Sequence, residues 1–197
     1  DPGGDHCTVR SVYLWSIVSA ATVNDPLELE SDEFAGVEGR TDLDSHANMP
    51  VVGKLSRVLA FHDKTVDVCP YTPDYKPMRV PLVDAAVKYV SPHDGEECIL
   101  VIRNALYVPS MEHNLLPPFV MREAGLVVNE TPKIQLEEPT EDHCAITFPE
   151  TGMRIPLALC GIFSYFPTTK PALDELVEPP DVHLLTPNTW DPHSDAS

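Results

Sequence analysis

From Val37 onward the apolar positions come in short runs separated by turn-forming residues. "GKLSRVLAF", "KTVDVCPY", "RVPLVDAAVKYV" and "CILVIRNALYVP" are rich in Val, Leu, Ile and Tyr, and "HDK", "YTPDYKP" and "SPHDGEE" fall between them. Runs of β-branched and aromatic residues bounded by Pro, Asp and Gly predict the strands of an all-β barrel or sandwich. Residues 39–43 predict a further short strand ahead of them. The clearest hairpin joins "AAVKYV" to "ECILVI" through residues 91–97, where Asp94-Gly95 supplies a tight-turn dipeptide. In "HNLLPPFVMREAGL" the period changes: Leu115, Leu116, Phe119, Val120 and Ala124 recur at helical intervals, Pro117 and Pro118 suit a first turn, and Gly125 suits a stop. One short helix is therefore expected after the strands. Beyond Val128, "KIQLE", "CAITF" and "RIPLALCGIFSYF" return to a strand pattern. Residues 167–197 hold six prolines and six acids against a single Lys, which predicts a mostly extended, Pro-rich tail.

A chain of 197 residues that is 43% hydrophobic can bury one core with flanking segments. The net charge of -18 is unevenly placed: residues 1–39 hold eight acids and one base, residues 137–197 eleven acids and two bases, and the middle twelve acids against ten bases. A near-neutral centre between acidic arms predicts a folded module inside solvated chain. Three regions are expected: an acidic N-terminal linker at 1–35, the folded domain at 36–127, and a following segment at 128–197 with short strands and the acidic tail. No Lys/Arg cluster offers phosphates a partner, so direct nucleic-acid binding is not expected. The five cysteines are widely spaced and never form a C-x-x-C pair, which signals neither a disulfide framework nor a zinc ribbon and favours a reducing compartment. Residues 9–23 form the one strongly apolar early run, but it is short and interrupted by Ser11, Ser16, Ser19 and Thr22, so no membrane span is expected. The opening "DPGGDHC", without an initiator Met, reads as a piece of a longer polypeptide.

Two stretches carry a resemblance. "DLDSHANM" resembles the Asp-Ser/Thr-Gly-Ala box of retropepsin-type aspartic proteases, and "ILVIRNALYVPSMEHNLLPPFVMREAGL" is similar to the segment that follows that box in copia-type retrotransposon polyproteins. There an apolar strand runs into an Asn-Val-Leu-Tyr-Val-Pro phrase, then Asn-Leu-Leu, then a short helix ending at Gly. The matching residues are Asn104, Leu106, Tyr107, Val108, Pro109, Asn114, Leu115, Leu116 and Gly125. "IPLALCGIFSYFPTTKPALDEL" and "LLTPNTWDPHS" also resemble stretches found after the protease, so the likeness covers about residues 36–197. Two departures stand out: His46 takes the place of the box glycine, and the hairpin at about 79–98, the flap candidate, contains only Gly95.

The resemblance implies a retropepsin-like small acid-protease barrel with one short helix, and an aspartic endopeptidase that cuts peptide segments of its own precursor. It implies a cytoplasmic location within virus-like particles, and neither cofactor nor metal. Asp44 would be the catalytic carboxylate, with Ser45, His46 and Ala47 forming the active-site loop. Such hydrolysis uses two carboxylates sharing one proton, one activating water and the other polarising the carbonyl. One box supplies only half of that site, so a symmetric homodimer is implied, with Asp44 of each copy on the two-fold axis. Ser45 would brace the loop across the axis, Ala47 would leave room for substrate backbone, and residues 99–102 would pack behind the loop.

Other readings of the same residues remain open. Asp44-Ser45 after a strand is also an ordinary hydrogen-bonded turn. Asp42, Asp44, His46 and His62 are suitable metal-ligand types, though no ligand spacing singles them out. Glu112-His113 lacks the second His of a helical zinc-hydrolase motif, and Ser45 lacks a nucleophile elbow. A barrel retained for a structural or interaction role, without catalysis, is the second functional reading.

Overall fold

The computed structural model describes residues 32–68, 78–131, 135–138 and 140–188. Within them the chain is mostly β, which agrees with the all-β expectation. Its strands are β1 (Glu38–Leu43), β2 (Val51–Val52), β3 (Arg57–Val68), β4 (Met78–Val90), β5 (Glu97–Tyr107), β6 (Asn114–Leu116), β7 (Val127–Glu130), β8 (Cys144–Thr147), β9 (Arg154–Pro156), β10 (Ala158–Cys160), β11 (Phe163–Thr169) and β12 (Val182–Leu184). Two short helices, α1 (Pro118–Glu123) and α2 (Leu173–Val177), interrupt them. No helix among the described residues is long and apolar enough to cross a membrane.

Nine strands make one sheet, in the order β10-β11-β1-β6-β2-β5-β4-β3, with β12 parallel to the first half of β5. A pairing of Thr169 with Lys88 brings β11 back against β4, so the path of the sheet closes on itself. β7, β8 and β9 form a second, antiparallel sheet of three strands. Its Val128, Ile146 and Ile155 join Leu43, Val52, Val83, Leu100 and Phe166 of the large sheet in one buried cluster.

The unbroken apolar texture of β4 and β5 has a physical cause, because both faces of this pair are covered. Val83, Ala85, Val87, Leu100 and Ile102 face the main cluster, while Ala86, Ile99 and Val101 lie under Leu176 of α2 and Val182 of β12. Strands buried on both sides read as continuous rather than alternating hydrophobic runs. Each such Val, Leu or Ile contributes roughly 1.5–3 kcal/mol relative to exposure. One bulge interrupts the pair: Asp84 faces both Arg103 and Asn104, and Asn104 adopts φ +52°. Asn tolerates that left-handed backbone better than most residues, which accounts for its place in the "NALYVP" phrase. The "HDK" triplet likewise falls inside β3 at a register shift, and does not end the strand.

Several expectations are corrected. Residues 114–116 form a strand, not the start of a helix, because Asn114, Leu115 and Leu116 pair with Thr41, Asp42 and Leu43 of β1 while Leu115 also pairs with Val51 of β2. Leu136 and Glu137 of "KIQLE" lie outside any strand. The expected boundary at 127/128 falls inside β7, and residues from both sides of it share the main core. Residues 167–188, expected as extended tail, contain the end of β11, α2 and β12. The tail composition hid a few well-placed apolar residues, Leu176, Val182 and Leu185, that all end buried. Of the expected linker at 1–35, Asp32 pairs with the buried Arg57 at 2.6 Å and Ala35 bridges Lys170, while residues 1–31 lie outside the described residues, as does the Trp190 end of the tail.

A buried polar chain runs through the centre of the large sheet. The Gly53 amide donates to Asn114 Oδ1 at 3.0 Å, Asn114 Nδ2 donates to Thr41 Oγ1 at 3.2 Å, and the Thr41 hydroxyl meets that of Thr168 at 3.2 Å. Since Thr41 Oγ1 accepts from Asn114, its own proton is free to serve Thr168. Gly53 is required for close approach: a Cβ there would stand 2.2 Å from the Met111 carbonyl oxygen. Replacing Asn114 by Ala would leave the buried Gly53 amide without its partner, at about 1–3 kcal/mol, and would remove one of the two hydrogen bonds of the Thr41 hydroxyl together with the packing of the Asn side chain. Urea unfolding of Asn114→Ala is therefore expected to show a loss of roughly 2–5 kcal/mol. A loss no larger than that of a surface Asn→Ala control would show the chain to be dispensable.

Candidate active site

Asp44 is the first residue past β1, and two neighbours fix where that strand ends. On one side β11 runs antiparallel to β1, with Leu43 opposite Ser164. On the other, β6 runs parallel, with Leu43 opposite Leu116, and the Asp44 amide donates to the Leu116 carbonyl at 3.2 Å. Thr41 and Leu43 turn into the core, so the carboxylate at 44 falls on the opposite side and is 23% exposed.

The loop then tightens around the carboxylate. The His46 amide donates to Asp44 Oδ1 at 2.9 Å, and the Ala47 amide donates to the Asp44 carbonyl at 3.3 Å. Ser45 is exposed and its hydroxyl lies 3.4 Å from His46 Nδ1. The His46 side chain is 96% exposed, with Nδ1 3.8 Å from Asp44 Oδ1. Outside glycine, positive φ occurs among the described residues only at Phe34 and Asn104, so the backbone at 46 does not call for glycine. Its N–H reaches the carboxylate with the imidazole directed to solvent. The four residues of the expected site, Asp44, Ser45, His46 and Ala47, are thus together in one turn.

The alternative ligand set is not brought together. Arg40 holds Asp42: Nη2 donates to Oδ2 at 3.3 Å, and Nε lies 2.8 Å from Oδ1 but off the line of a hydrogen bond. His62 instead reaches Asp84 Oδ1 at 2.9 Å, across the β3–β4 pair. No group of three or more His, Cys, Asp or Glu side chains among the described residues is arranged to hold a metal ion. Glu112 is engaged by Lys54 at 2.9 Å, in keeping with a turn.

The hairpin expected to close over a peptide has a different neighbour. Ser91, His93, Asp94, Glu96 and Glu97 of its turn border a cavity shared with residues 151–154, Asp181 and His183, all from the chain after 127. Burial there pushes the Tyr89 hydroxyl and the Cys98 thiol each up to about 12. Sequence reasoning also missed the residues that hold the end of β1. Asn114 was visible as part of a phrase, and a lone Asn before two leucines in an apolar context was the available signal; nothing local marked Thr168 as its remote partner.

No protein-family model, curated protein or solved structure matches the chain.

The destination of His62 supplies a pH effect. Burial pulls the Asp84 carboxyl upward, but the His62 hydrogen bond, the Asn104 amide and the Arg103 guanidinium outweigh it and hold the group below its ordinary 3.8. A carboxylate depressed by folding stabilises fully above its unfolded value, and that contribution fades as pH falls through the folded value. Asp84→Asn is expected to be less stable than wild type at neutral pH, with the gap narrowing as pH drops below 3.8 in denaturant titrations at stepped pH. A gap of constant size would show that Asp84 takes no part in acid unfolding.

Proposed function

We propose that the chain is an aspartic endopeptidase of a copia-type retrotransposon polyprotein, working as a homodimer on peptide segments of its own precursor. The observation that carries this reading is the placement of Asp44: at the exit of a central strand, its amide tied to β6, its carboxylate accepting the next amide but one and open to solvent in an exposed loop. A carboxylate so placed can meet its twin across a two-fold axis. In this reading the self-closing sheet is a retropepsin-like barrel, completed by β11 and β12 from the chain after 127. The expected cytoplasmic site within virus-like particles follows from the same reading.

The chemistry derives from the pair. Two carboxylates a few ångströms apart cannot both be ionised, so one keeps a proton near neutrality. The ionised member takes a proton from water as it attacks the peptide carbon, and the protonated member donates to the carbonyl oxygen. The His46 amide, already directed at Oδ1, holds the carboxylate orientation that this exchange uses. Ser45 is free to hydrogen-bond across the axis.

A second reading, a barrel kept for a structural or interaction role, is favoured by one observation. The His46 imidazole stands in the solvent space that a second Asp44 loop would enter. Two variants separate the readings. In cleavage of a precursor fragment at mildly acidic pH, Asp44→Asn is expected to lower kcat/KM by about 10²–10⁴-fold; equal cleavage by both proteins would remove Asp44 from the mechanism. His46→Gly is expected to raise the same constant severalfold by relieving the approach of the two loops, and a fall would show that the imidazole assists.

A further inference from the structure

We propose that the tip of the β10–β11 hairpin is the apolar part of the contact between two copies of this chain, beside the Asp44 loop. This rests on the homodimeric reading above and names the surface that brings the copies together.

Sheet register supplies the first ground. Leu43 faces Ser164, and Cys160 faces Phe163. Continued by one residue, the β1–β11 register brings Phe163 opposite Asp44, with Cys160 one strand further out. At about 4.8 Å between strands, the hairpin tip and the Asp44 loop project from the same end of the sheet within roughly 10 Å of each other.

Exposure and charge supply the second and third. Ile162 is 89% exposed, Leu159 48% and Phe163 41%, three large apolar side chains on one hairpin. Exposed apolar residues scattered singly are ordinary, but Ile162 and Phe163 are adjacent at the tip of a hairpin beside a half-built site. Residues 155–169 carry no charged side chain, in a chain of net charge -18. Two such chains repel over most of their surfaces, and this end is where they can meet without that cost. A two-fold contact uses the same patch on both partners, so a neutral apolar tip answers itself. Arg40, which stacks over the Tyr165 ring at 5.2 Å, steadies β11 from the side. The occupant is therefore a second copy, its Ile162 and Phe163 packed against those of the first.

Sedimentation equilibrium of the full chain tests this. Ile162→Asp is expected to raise the dimer dissociation constant by about tenfold or more, and Ile162→Ser by less. Val177→Asp, at a comparably exposed apolar position on α2, is expected to leave it unchanged, and all three should melt like wild type because these side chains are exposed. Unchanged association in both Ile162→Asp and Phe163→Asp, or a wild-type chain that stays monomeric, would overturn the proposal. The readouts separate it from the proteolytic reading. Dimers lost in Ile162→Asp, with a wild-type chain that never cleaves, would leave the contact standing without the protease. Full cleavage and unchanged association in both Ile162→Asp and Phe163→Asp would remove the contact and leave the protease.

Discussion

The hydroxyl–amide chain from Thr168 through Thr41 and Asn114 to Gly53 is the constraint on which the large sheet depends. It crosses β11, β1 and β6 and reaches the turn after β2, every link between groups withdrawn from water. Parallel pairing over only three residues, as between β1 and β6, is weak support for a strand. The side-chain bonds add what the short ladder lacks, and because unmet buried partners are costly they admit one register. A slip of one residue would turn Thr41 out and Asp42 in. The chain therefore decides where β1 stops, and so at what height and on which side Asp44 emerges.

Around that fixed point the molecule is built from distant pieces. β1 has one neighbour from about seventy residues later and one from more than a hundred residues later. The β4–β5 pair is covered outside by α2 and β12, and inside by the small sheet β7–β9. Burial of both faces leaves few places for a charge, and the charges that do enter are held. Asp84 sits among His62, Arg103 and the Asn104 amide, and Lys88 between Glu97 and Glu175.

Much of this was legible in the sequence, for reasons that individual residues make clear. Strands β4, β5, β8 and β11 were readable because their apolar runs are dense, β3 only in two pieces because "HDK" reads as a turn, and the Asp94-Gly95 turn because Gly95 takes φ +76° there. The turn at Asp44 was readable from its short polar residues. Residues 114–116 were misread because three residues carry no period, and the pull of β1 and β2 on either side outweighed the helical spacing of the leucines. The acidic, Pro-containing stretch after 167 was misread because composition averages over a segment, whereas burial is decided one side chain at a time. At the site, Asp44 to Ala47 could be named because they are adjacent, while Thr168 was invisible because its role exists only after the strands have paired.

The insertion of β11 between β10 and β1 has a temporal consequence. Synthesis runs from β1 toward β11, so a growing chain that has just made the Asp44 turn holds a strand bare on both edges, and even once β6 has arrived the edge that β11 will take is still open. That edge stays bare until more than a hundred further residues have left the ribosome, and loop closure over such a span is slow compared with local hairpins. The nascent chain thus cannot assemble its Asp44 turn in final form until nearly all of the described segment has emerged. Order of manufacture alone would leave an unfinished polypeptide without that turn in its final setting.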